Sequence, residues 1–107
     1  MKIIKMVMLM NDKVLVKLFV PELDVNYDIY IPVNELIWKV KKMLIKAISE
    51  MSGGLLMVDR EYALINKTTS VNYNNNSVVI GTDIRNATEL ILISVKSNNE
   101  GMVGIVK

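Results

Sequence analysis

The chain of 107 residues fits one domain, and folding at this size buries roughly 60 to 70% of the surface the unfolded form exposes, enough for a core without cross-links. Thirteen Lys and Arg against eleven Asp and Glu leave a net charge of +2, too slight to point to nucleic acid, and no basic cluster is interleaved with stacking aromatics. Cys and His are both absent, which removes disulfides, thiolate and imidazole catalysis and the commonest transition-metal ligands, so we read a non-enzyme with no metal and no cofactor.

The first ten residues, MKIIKMVMLM, begin like a secretory signal. Lys5 interrupts the apolar run, no small-residue cleavage site follows, and Asn11-Asp12-Lys13 comes at once, so neither export nor a span of about 20 residues is indicated. The expectation is a cytoplasmic protein. Residues 1–11 are read as an apolar extension, or as a leader upstream of a start at Met6, Met8 or Met10.

From Lys13 the apolar residues Val14, Val16, Leu18 and Val20 recur at every second position, one side of a pleated strand, with Lys13, Leu15, Lys17 and Phe19 on the other. Pro21, Asp24 and Asn26 supply turn chemistry, after which Tyr27, Ile29 and Ile31 alternate against Asp28 and Tyr30. Pro32 closes this second strand. Asn34 is placed to cap a helix, and Glu35 puts negative charge at its positive end. At 100° per residue Leu36, Ile37, Val40, Met43, Leu44, Ala47, Ile48 and Met51 form a core stripe about 160° wide. Gly53-Gly54 provides a left-handed stop.

Glu61 to Ile65 is a short strand candidate, Asn66 to Ser70 a turn, and Val71 with Tyr73 a further brief strand. Asn74-Asn75-Asn76 is turn sequence. Ser77 to Gly81 fits a single helical turn, Ile84 follows as a buried residue, and Arg85 to Thr88 turns the chain. Leu90 to Ile93 is apolar on both faces and belongs in the middle of a sheet. Two strands, a helix, short strands and a terminal central strand make an α+β fold of β-grasp, or ubiquitin-like, type: a mixed sheet of four to five strands on one amphipathic helix. The expected domain covers residues 12–96, with 97–107 as a tail.

The segments KVLVKLFVPELDVNYDIYIPVNELIWKV and SVVIGTDIRNATELILIS resemble the small bacterial ubiquitin-like proteins of the YukD/EsaB family, which are associated with type VII secretion. The most specific part is the short turn before Gly81, Ile84, a second turn, and the strand ELILIS. The sequence departs from the pattern at Ala87, where such proteins often carry a turn glycine, and in its extended termini. The resemblance implies a module that binds a protein partner of a type VII secretion system. The alternative is a self-associating β-grasp adaptor whose apolar termini complete a homodimer, with no secretion role.

Ubiquitin-like modifiers act through a tail ending in Gly-Gly. This chain ends Gly104-Ile105-Val106-Lys107 and its Gly53-Gly54 pair is internal, so a non-conjugated protein is expected. Asp59 and Glu61 could share a strand face as paired carboxylates, but no proton shuttle or third ligand is near in sequence, and Lys39, Lys41, Lys42 and Lys46 read as the wet face of the helix. Two apolar groups remain as protein-binding candidates. If Val14, Val16, Leu18, Leu64, Leu90 and Leu92 face the helix, then Leu15, Phe19, Ile65, Ile91 and Ile93 face outward beside Lys13 and Lys17. Trp38 and Ile45 are expected on the side of the helix opposite the core stripe. Residues 1–11 or the tail could instead cover either group.

Overall fold

The computed structural model describes residues 12–95. Both terminal extensions, and the readings that rest on them, lie outside these residues. Strands β1 (Lys13–Val20) and β2 (Val25–Pro32) form a hairpin that leads into helix α1 (Ile37–Met51). Strand β3 (Tyr62–Asn66), a 3₁₀ turn (Val79–Gly81) and strand β4 (Glu89–Ser94) follow. The sheet order is β2-β1-β4-β3, with β1 and β4 parallel at the centre and antiparallel partners on either side. This is the mixed four-stranded sheet on one helix that the order of sequence patterns predicts.

Alternation does the sorting. Val16, Leu18 and Val20 of β1, Ile31 of β2, Leu64 of β3 and Leu90 and Leu92 of β4 are buried, and Ile37, Val40, Leu44 and Ile48 of α1 meet them. At about 1.5–3 kcal/mol for each fully buried aliphatic side chain, this two-layer contact is the main source of stability. Tyr62 at the start of β3, Val79 in the 3₁₀ turn, and Leu56, Tyr73 and Ile84 in the connecting segments close the core.

Four expectations change in the structure. The stripe is narrower and rotated: Met43 and Met51 are 50% and 58% exposed, while Ile45, on the other flank, packs against the core. Asn34 does not cap the helix. The N-cap is Leu36, without a side-chain bond, and Glu35 lies before the first turn and pairs with Lys39 at 3.8 Å. A distant loop supplies the acceptors instead, because the N–H groups of Ile37 and Trp38 donate to the carbonyls of Ser77 and Asn75 at 2.8 and 3.2 Å. Val71 and Tyr73 form no strand; one bridge joins Asn72 to Ile65. The helical turn expected from Ser77 is shorter and of 3₁₀ type.

The other end of α1 follows expectation. Gly53 and Gly54 have φ of +70° and +87°, and their N–H groups donate to the carbonyls of Glu50 and Ser49, the paired bonds of a Schellman stop. The second half is held by polar ties that composition does not announce. Buried Asn66 donates to the Tyr73 hydroxyl at 3.0 Å, accepts from the N–H groups of Thr68 and Thr69, and Tyr73 in turn donates to Asp83.

Candidate functional site

Register fixes the open face of the sheet. Phe19 of β1 is level with Ile91 of β4, and Ile91 with Ile65 of β3, so three apolar side chains lie in one row across three strands. Ile93 is level with Ala63 in the next row. Phe19, Ile65, Ile91 and Ile93 are each half-buried, as expected of residues on the face away from the helix with no layer of described residues above them. The structure brings these four together.

A charged row borders them. Lys17 is level with Asp28 on one side and Glu89 on the other, and Lys67 reaches Glu89 at 3.9 Å. Leu15 lies beyond this row, level with Tyr30, where Lys13, Lys17, Asp28, Asn86 and Ala87 complete a hollow of about 450 Å³. Leu15 is thus separated from Phe19 by Lys17. Its backbone is tied into the turn before β4, accepting from the N–H of Ala87 at 2.7 Å and donating to Asn86 Oδ1 at 2.8 Å. Tyr30 and Ala63 belong to this face as well. Strict alternation on β2 and β3 was the signal that could have added them.

Trp38 is 41% exposed and lies beside Glu35, Lys39, Lys42, Met43 and Lys46 around a shallow hollow of about 400 Å³. Ile45 is not its companion there. It packs on the core instead of standing opposite it, because the buried face of α1 is turned toward that flank. Of the four lysines read as a wet face, Lys41 is half-buried and donates to the carbonyl of Tyr62 at 2.8 Å. Burial pulls its pKa below the ordinary value, with the Glu61 carboxylate acting in the opposite sense. Asp59 and Glu61 precede β3, and both are exposed.

The face has an apolar centre with opposite charges at its border, the composition of a surface that a protein partner can desolvate and orient on. Among the described residues no helix is long and apolar enough to cross a membrane.

No family model and no curated protein matches this sequence. Solved structures do match. A chain of the MycP5-free ESX-5 inner membrane complex superposes with a TM-score of 0.63 at 12% identity over 89% of this chain, which spans 26% of that longer one. The ubiquitin-like domain of the Mycobacterium tuberculosis type VII secretion system protein EccD1 gives 0.61 at 12% identity, covering 77% of this chain and 98% of that one. A ubiquitin-like domain from Arabidopsis thaliana gives 0.59 at 11%, covering 80% and 81%. Likeness at such identities is likeness of backbone, and it agrees with the sheet order and helix placement above: the chain has the ubiquitin-like β-grasp fold.

Proposed function

We propose that this chain is a non-conjugated ubiquitin-like interaction module of the YukD/EsaB kind, a cytoplasmic accessory or regulatory component of a bacterial type VII secretion system that holds a protein partner without catalysing a reaction. The observation that carries the binding role is the in-register row Phe19, Ile91 and Ile65 with Ile93 beside it, half-exposed on the open side of a sheet whose other face already has a complete core. The secretion role draws its support from the sequence resemblance and from the backbone likeness to EccD1 and to the ESX-5 chain. Fold alone serves many functions, so the partner must be identified directly.

The test is affinity capture of the tagged chain from its native cell, read by mass spectrometry. Type VII secretion components are expected in the wild-type eluate. Ile93→Arg places charge beside the apolar row without touching the inner face, and recovery should fall tenfold or more, the effect of losing a hot spot worth about 2 kcal/mol. Recovery unchanged by this substitution in a chain still folded by circular dichroism would remove the outer face from the account. An eluate lacking secretion components would remove the secretion role.

A further inference from the structure

Strand β2 lies at the edge of the sheet formed by the described residues, and hydrogen-bond phase shows which of its backbone groups do not address β1. The N–H of Lys17 donates to Thr88 and the carbonyl of Leu15 accepts from Ala87, so the odd residues of β1 address β4 and the even ones address β2. In the hairpin register those even residues oppose Val25, Tyr27, Ile29 and Ile31, and the N–H of Val33 continues the same phase by donating to Asp12 at 2.8 Å. The N–H groups of Asn26, Asp28 and Tyr30, and the carbonyls of these residues and Pro32, therefore point away from β1. No other described residue bonds to them. Most of the usual protections of such an edge are also missing, since β2 holds no lysine, pairs along all eight residues without a bulge, and has proline only at its last position, leaving Asp28 as its one charge.

We propose that β2 pairs antiparallel with β2 of a second copy of this chain, the two-fold axis passing through Asp28, so that two four-stranded sheets become one of eight strands. The sequence of β2 is self-complementary about that residue. Asn26 falls opposite the second copy's Tyr30 on the outer face, and Tyr27 opposite its Ile29 on the helix side, at the closer-spaced non-hydrogen-bonded position where an aromatic and a β-branched side chain pack well. Three residue pairs, centred on Asp28 with itself, exchange both of their backbone bonds. The two Asp28 carboxylates meet at the axis, yet each has Lys17 of its own chain level with it, and Lys17 in turn has Glu89 on its other side, so the row across the junction carries two positive and four negative charges. This repulsion at the centre keeps the dimer weak and dependent on concentration. The outer apolar row of each copy stays open, and the inference does not rest on the secretion role.

Sedimentation of the full chain over a concentration series tests it. A reversible monomer–dimer equilibrium is expected, tightened about two- to fivefold by Asp28→Asn, the scale of a like-charge cross-strand pair. Asp28→Pro removes an outward-facing donor and the carboxylate level with Lys17 but no bond to β1, so the chain should fold and remain monomeric. Amide exchange gives a readout on the wild-type chain itself: the N–H groups of Asn26, Asp28 and Tyr30 should gain protection as concentration rises, while those of Tyr27 and Ile29 are protected throughout. A chain that is monomeric at all concentrations, a dimer that survives Asp28→Pro, or protection of the three even amides in the monomer, as when residues 1–11 of the same chain cover the edge, would each overturn the proposal.

Discussion

Ala87 adopts φ of +73°, in the turn that feeds β4, and its N–H bonds Leu15. A β-carbon there costs about 1–2 kcal/mol, which glycine avoids at the expense of a more flexible unfolded chain. Ala87→Gly should therefore stabilise by about 0.5–1 kcal/mol and raise Tm by roughly 2–6 °C in a scanning calorimeter. Tyr73 is a second informative residue. Burial, with the hydrogen bond to Asp83, pushes its phenol up to about 12 from an ordinary 10. The fold favours the neutral phenol, so this contribution is whole below pH 10 and is lost as pH rises through 12. Tyr73→Phe leaves the Nδ2 donor of buried Asn66 without its acceptor and should cost about 1–3 kcal/mol at neutral pH. Urea midpoints between pH 8 and 12 should then fall less steeply for the variant than for wild type; parallel curves would contradict the assignment.

Elements differ in how far the sequence announces them. Both hairpin strands were legible because one alternation decides each, β4 because a short run apolar on both faces suits only a central strand, and the glycine stop of α1 because only a left-handed residue fits there. The start of α1 was not, since its first N–H groups are satisfied by backbone carbonyls of Asn75 and Ser77, and a carbonyl is common to every residue type. Asn34 only looked like the cap. Asn34→Ala should consequently change stability by less than about 0.5 kcal/mol, where loss of a true cap costs about 1; chemical denaturation distinguishes these. The same reasoning explains Met43 and Ile45. Periodicity gives the existence of an apolar face, but its centre depends on where the sheet lies, and Lys41 bonding to β3 shows a flank that composition alone marks as solvent. On the open face, Phe19, Ile65, Ile91 and Ile93 were readable as outward residues, whereas their alignment in rows required the parallel β1–β4 register.

For the molecule as a whole, the helix and sheet form a single contact surface, so one charge in its middle should undo everything. Val40 is fully buried between α1 and the sheet. Val40→Asp would leave an unpaired carboxylate there at a cost of several kcal/mol, comparable to the total stability of a small domain. Far-UV circular dichroism should show an unfolded chain at 25 °C, and a cooperative melt near that of wild type would contradict this packing.

The position of β4 has a consequence in time. It is the last strand of the described chain and yet it lies between β1 and β3, so the helix leaves the ribosome with only the hairpin to close on and the β3–β4 half of its floor still missing. At about 5–20 residues per second, translation needs roughly 2–9 seconds to pass from the end of α1 to the end of β4. For that interval the nascent chain is a client for anything that shields apolar surface, and its folding is set by the pace of synthesis rather than by the speed of the final collapse.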